Sequence, residues 1–269
     1  MEKAFNKILL AYDNSEAAVA ALQSAYGVAT KFNSQITALV VHGKDDNLED
    51  SRAALESFNK EKRLNMEIIE RSGAVYDEVI KLEKEMEFGL ILLGSHGTKG
   101  WQKLWMGSNA FKVITSSTCP VISVTAKASS SELKNILLPI GDSRNTRQKV
   151  PYCIKMAKAF GATVHIIGVS KSKSADTEKH ITSYINQTQQ FLASKGVKST
   201  SKISFGVKVA ETCIEYAEEV NAGLMMIMSE TESSGLFMDS YSQQLVNNST
   251  VPIMSIHARD TRLTGATGY

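Results

Sequence analysis

The stretch Ile8-Leu9-Leu10-Ala11-Tyr12-Asp13-Asn14-Ser15 decides the fold, and its counterpart Ile136-Leu137-Leu138-Pro139-Ile140-Gly141-Asp142-Ser143 stands 128 residues further on. Each copy is an apolar run too short for a helix that breaks into turn-forming residues. The same offset of 128 pairs Phe32 with Phe160, Ile36 with Val164, Leu39 with Ile167 and Val41 with Val169. Gly89-Leu90 returns as Gly223-Leu224 at an offset of 134, and Cys119-Pro120-Val121 as Val251-Pro252-Ile253 at 132. A unit repeated once with small drifts is a diverged duplication in which each half is a complete fold. The expected organisation is a first domain over 1–126, a linker over 127–134 containing Ser129-Ser130-Ser131, a second domain over 135–258 and a flexible tail over 259–269.

Within the first half the periodicity alternates. After the strand at Ile8–Tyr12, Glu16–Phe32 sets Ala17, Ala20, Ala21, Ala25, Val28 and Ala29 at helical spacing, a small-residue face suited to packing on a sheet. Strands follow at Ile36–Val41, Met66–Ile69, Leu90–Leu93 and Val121–Val124, separated by helices at Leu48–Leu64, Val75–Glu87 and Ser108–Ser116. Strands apolar on both faces and alternating with helices specify a parallel sheet covered on both sides. The fold class is therefore α/β: two tandem doubly wound domains, each a five-stranded parallel sheet with helices on both faces.

Composition sets bounds on function. Thirty Lys and Arg against 28 Asp and Glu leave a net charge of +2, so no bulk field holds a nucleic acid or an anionic membrane. No apolar run reaches the roughly 20 residues of a membrane helix. Glu2, Asn6 and Lys7 interrupt the place where a signal peptide would be apolar. The three cysteines, Cys119, Cys153 and Cys213, form no Cys-x-x-Cys pair, which fits a reducing compartment and a cytoplasmic protein.

In doubly wound sheets ligands bind beyond the carboxyl ends of the strands, where the strand order reverses. Three turns fall at that edge: Asp13-Asn14-Ser15, His42-Gly43, and Gly94-Ser95-His96-Gly97-Thr98-Lys99-Gly100, which runs on to Gly107-Ser108-Asn109 at a helix start. Glycine lets backbone approach an anion closely, and Gly107-Ser108 at a helix N-terminus offers free N–H groups and the positive end of the dipole. The spacing Gly94-x2-Gly97-x9-Gly107-Ser108 is neither a Walker A loop nor a Gly-x-Gly-x-x-Gly fingerprint. A loop that only turns the chain is the plainer alternative, and Asp13 alone reads equally well as a turn former. Ser95 and His96 with Asp13 lack the Gly-x-Ser-x-Gly elbow of a hydrolytic triad. His42, His96, His165, His180 and His257 form no zinc-type spacing. Trp101 and Trp105, four apart, read more readily as packing over the sheet edge than as a shield for the glycine loop or an anchor for a partner.

This glycine loop, an aspartate ending the first strand and Pro120 before the last strand resemble the universal stress protein family in its tandem form, strongly over 1–126 and more weakly over 133–258. The resemblance implies an adenine nucleotide: Asp13 against the adenosine, backbone groups of Val41 on adenine, and Gly94, His96, Gly97, Gly107, Ser108 and Asn109 around ribose and phosphates. It implies ATP, with magnesium carried by the phosphates, and a regulatory or stress-response role. The second half departs from the pattern. Gly141 stands where Asp13 stood, the three motif glycines are gone, and Glu230, Glu232 and Asp239 surround the phosphate position. A carboxylate about 4 Å from a phosphate costs roughly 4 kcal/mol per charge pair at an effective dielectric near 20. ATP is therefore expected in the first half only.

Binding groups are evident while a catalytic base is not, so slow hydrolysis is the most that the residues support. The alternatives are a slow ATP hydrolase and a ligand-free scaffold for partner proteins. The apolar last strands, Val121–Val124 and Ile253–Ile256, invite edge pairing. The two halves are expected to pair with each other, and whole chains to form a homodimer.

Overall fold

A computed structural model describes residues 5–42, 48–95, 108–128, 133–229 and 240–258. The chain divides into two compact units, Met1–Ser130 and Ser131–Tyr269. The first contains β1 (Lys7–Ala11), α1 (Glu16–Phe32), β2 (Gln35–His42), α2 (Leu48–Lys62), β3 (Glu67–Ser72), α3 (Val75–Met86), β4 (Leu90–Gly94), α4 (Ser108–Ser116) and β5 (Val121–Val124). Its strands run in the order β3-β2-β1-β4-β5, all parallel, with Ile8 beside Ile36 on one flank and Leu90 on the other, and Ile91 beside Val121. Right-handed crossovers send α1 and α2 to one face and α3 and α4 to the other. The order reverses between β1 and β4, where the connections leave in opposite directions and open a crevice at the carboxyl edge.

Local sequence explains why α1 starts and stops where it does. Ser15 is its N-cap and accepts from Ala18 N–H, while Asn33, left-handed at φ 52°, ends it. The buried stripe is Ala17, Ala18, Ala21, Leu22, Ala25, Val28 and Ala29. Ala20, expected inside, is half-buried, and Ala18 takes its place against the sheet. Central strands β1 and β4 are almost wholly buried, whereas β3, at the edge, is largely exposed. The core is aliphatic, closed at the amino edge by the edge-on pair Phe5 and Phe32, whose rings lie 5.1 Å apart.

The second unit repeats the plan with β6 (Asn135–Ile140), α5 (Val150–Phe160), β7 (Thr163–Ser170), α6 (Ala175–Ser194), β8 (Ser199–Phe205), α7 (Val209–Glu219), β9 (Leu224–Ser229), α8 (Ser240–Asn248) and β10 (Ile253–His257). Its parallel order is β8-β7-β6-β9-β10. The first helix differs most: α5 has 11 residues against 17 in α1, and a short 3-10 helix, Arg144–Arg147, precedes it. Pro151 favours this late start. It sits in the first turn of α5, where its missing N–H costs nothing, whereas in the interior of a longer helix it would break the ladder.

All three cysteines are free and buried. Burial pushes each thiol up to about 12, which makes them inert packing groups.

One buried carboxylate organises the far end of the first unit. Oε1 of Glu83, on α3, accepts from the Ser117 hydroxyl at 2.9 Å, the Thr118 N–H and hydroxyl at 2.8 and 2.9 Å, and the Cys119 N–H at 3.0 Å. The turn between α4 and β5 is thus tied to α3. Replacing Glu83→Ala strands those donors, and urea denaturation should report a loss of about 3–5 kcal/mol. A loss below about 1 kcal/mol would show that water replaces the carboxylate.

Candidate functional site

The crevice at the carboxyl edge between β1 and β4 holds a cavity of about 120 Å³. Its walls come from several elements: Leu39 and Val41 of β2, Val75 and Val79 of α3, Ala110 and Val113 of α4, and Leu93, Gly94 and Ser95 at the end of β4. Ala11, Tyr12 and Asp13 complete it at the end of β1. The lining is apolar except at the mouth, where Asp13 is the one ionisable carboxylate among the described lining residues. Pockets that enclose a whole drug-sized ligand measure roughly 300–1,000 Å³, so the described walls form a slot for one flat portion of a ligand.

Asp13 is fixed by its own turn. Its Oδ1 accepts from the Ser15 N–H at 3.1 Å and the Ser15 hydroxyl at 2.6 Å, and Ser15 Oγ in turn accepts from Ala18 N–H at 3.2 Å. Asn14 takes the left-handed conformation at φ 59°, and its Oδ1 accepts from the Tyr12 hydroxyl at 2.9 Å. Burial first, then the Asp13 charge, pushes the Tyr12 phenol above its ordinary range, which keeps it a neutral donor. Asp13 is thus a turn former that also lines the pocket, and the bonds that shape the turn fix its carboxylate there.

Gly94 lines the pocket and also faces α1. A Cβ there would lie 2.9 Å from the carbonyl carbon and Cβ of Ala17 and from the nitrogen of Ala18, closer than real Cβ atoms come. Of the residues that the sequence suggests, Asp13, Val41 and Gly94 converge on the slot. Ser108 opens α4 with Asn109 behind it, and the side chains of both lie outside the described residues, as do His96, Gly97 and Gly107 and the spacer bearing Trp101 and Trp105. The sequence reading missed Val75, Val79, Ala110 and Val113. Their apolar helical spacing marks them as inward-facing, but only the packing of α3 over β1 and β2 and of α4 beside it brings them to the slot.

The equivalent edge of the second unit is built differently. Gly141 N–H donates to Thr146 Oγ1 at 3.0 Å, so the 3-10 turn folds back over the end of β6. Lys149, 128 positions after Ala21, is 2% exposed, and its ammonium donates to the Thr146 carbonyl and hydroxyl. Nothing in the sequence pattern marks this lysine as buried.

Two doubly wound α/β units in tandem, the first with a walled crevice at its strand-order reversal, define a duplicated doubly wound fold. A model of the universal stress protein family matches residues 4–125 and again residues 132–257, and the chain belongs to that family. It is 27% identical over 146 residues to the universal stress protein YxiE of Bacillus subtilis (strain 168), covering 45% of this chain and 99% of that one. To the universal stress protein MJ0531 of Methanocaldococcus jannaschii it is 24% identical over 144 residues, covering 46% and 84%. Each relative thus corresponds to about one half of this chain. A solved universal stress protein from Archaeoglobus fulgidus DSM 4304 is similar in fold over both halves, with a TM-score of 0.73 at 20% identity, covering 94% of this chain and 98% of that one.

Among the described residues no helix is long and apolar enough to cross a membrane. The Asp13–Ser15 turn can be tested alone. Ser15→Ala removes the cap of α1 and should lower stability by about 0.5–2 kcal/mol, read as a reduced urea midpoint at unchanged m.

Proposed function

We propose that the first unit holds ATP and that this chain is a cytoplasmic regulatory or stress-response factor whose second unit does not bind nucleotide. The observation that carries the reading is the apolar slot at the switch point of the first sheet, with Asp13 at its rim and the N-terminus of α4 beside it. A flat, apolar-faced ring suits walls made of Leu39, Val41, Val75 and Val79. Backbone groups near Val41 serve the edge of an adenine, and Asp13 is placed to accept from ribose hydroxyls. The phosphates fall to the stretch Gly94, His96, Gly97, Gly107, Ser108 and Asn109, where a helix start supplies N–H groups and positive potential. Magnesium enters as the phosphates' counter-ion, because Asp13 is the one carboxylate among the described pocket residues and already spends Oδ1 on Ser15.

Isothermal titration of the whole chain with ATP should give one site. Two equivalent sites would overturn the assignment to the first unit, and none, with no nucleotide released from freshly purified, denatured protein, would favour a ligand-free scaffold. Gly107→Asp should cost at least tenfold in affinity through the loss of one or two charge-assisted hydrogen bonds, each worth about 1.5–3 kcal/mol, and Ser108→Ala should cost less. Turnover at ordinary enzymatic rates of about 1–1,000 per second would make the protein a hydrolase instead.

Pairing of the two halves through their last strands, and a homodimer of whole chains, belong to the same reading. A fragment of residues 1–126 should sediment as a dimer, and a folded fragment that stays monomeric at high concentration would remove the pairing.

A further inference from the structure

We propose that Gly94 is a positioning residue: having no side chain, it seats the first turn of α1 at the ligand site, and Met228, its counterpart, leaves the second unit without such a seat. The proposal rests on the nucleotide reading of the first unit and adds to it the position that decides which half is competent.

Two matching pairs of hydrogen bonds establish the equivalence. Gly89 N–H donates to the Lys7 carbonyl at 3.0 Å, as Gly223 N–H does to that of Asn135 at 2.9 Å. Ile91 N–H donates to the Pro120 carbonyl at 3.0 Å, as Met225 N–H does to that of Pro252 at 2.9 Å. Strands β4 and β9 are thereby in register, and Gly94 corresponds to Met228.

In the first unit, the place where a side chain at 94 would project is taken by the backbone of Ala17 and Ala18. Those residues form the first turn of α1, which Ser15 caps by accepting from Ala18 N–H. Asp13 holds Ser15 through two hydrogen bonds and lines the pocket. A chain of direct contacts thus runs from the bare backbone at 94, through Ala17, Ala18 and Ser15, to the carboxylate at the pocket rim.

In the second unit a large side chain, Met228, is buried at this position. The residues matching Ala17 and Ala18 are Asn145 and Thr146, which lie in the 3-10 helix that packs against β9. Helix α5 does not begin until Val150, although α1 and α5 end at matching phenylalanines, Phe32 and Phe160. Where strand four carries glycine the helix reaches the edge, and where it carries methionine the helix starts late and its place is taken by the Thr146–Lys149 turn. Pro151 favours the same late start, so two residues far apart in sequence agree on one outcome.

The test is Gly94→Ala in the full chain, read in two ways. Amide hydrogen exchange should show faster exchange in the first turn of α1, including Val19 N–H, which donates to the Ser15 carbonyl at 2.9 Å, with protection retained over residues 24–32. ATP titration should show at least a tenfold loss of affinity. Unchanged exchange overturns the seating claim. Altered exchange with wild-type ATP affinity overturns the positioning claim. A wild-type chain that binds no ATP sinks the nucleotide reading but leaves exchange to decide whether residue 94 seats the turn. Should Gly94→Ala fail to fold, Gly94→Ala with Ala17→Gly removes one of the three close contacts and carries the same measurements. Folding restored in that pair bears out the close approach of residue 94 to α1, and a pair that folds no better than Gly94→Ala overturns it.

Discussion

The approach of α1 to its sheet is the contact on which the first unit's site depends. Helix and sheet stand apart by the thickness of the side chains between them, and here that layer is thin: alanines at 17, 18, 21 and 25 on the helix and no side chain at all at 94 on the strand. Because interiors are close-packed, such an approach is fixed and not adjustable. It brings the start of α1 to the carboxyl edge at the point where strand order reverses. The crevice there is walled by α3 and α4 on the other face, so one surface carries a polar turn and the other an apolar slot. The site is the product of two packing distances, with no element devoted to it alone.

Duplication makes the dependence visible. Both halves keep the strand order, the parallel registers and the buried aliphatic strands. They part company at the carboxyl edge, where the second unit has a 3-10 turn, a buried lysine and a methionine in place of a capped helix and a glycine. A sheet tolerates such changes at its edge because its stability resides in the strand interiors, while the loops at the edge are free to vary.

The strands and α1 were legible because apolar periodicity reports directly on burial, and the alternation of short runs with helices fixed the doubly wound class. The edge strand β3 was placed as Met66–Ile69 but runs Glu67–Ser72, since its extent is set by backbone bonds to β2 that leave little mark on side-chain pattern. Asp13, Val41 and Gly94 were legible as a group because all end strands at one edge. The walls from α3 and α4 were not, for their place depends on crossover handedness. Least legible was Lys149: lysine ordinarily signals a solvated face, and its burial goes with a turn in which its ammonium donates to the Thr146 carbonyl and hydroxyl.

The grip of Glu83 has a mechanical consequence. Helix α3 presents Val75 and Val79 to the slot from its first turns and holds the Ser117–Cys119 turn from its last. It therefore acts as a rigid lever with one arm in the pocket and the other on the hinge leading into β5. Any occupant that wedges α3 away from β2 must carry that hinge with it, because four hydrogen bonds on one carboxylate oxygen do not stretch independently. In the second unit the matching position is Ala217, and its neighbour Glu218 makes a single bond to the corresponding turn, accepting from the Thr250 hydroxyl at 3.3 Å. The tighter grip is in the first half, where one helix joins the wall of the crevice to the turn leading into the strand at which its sheet ends.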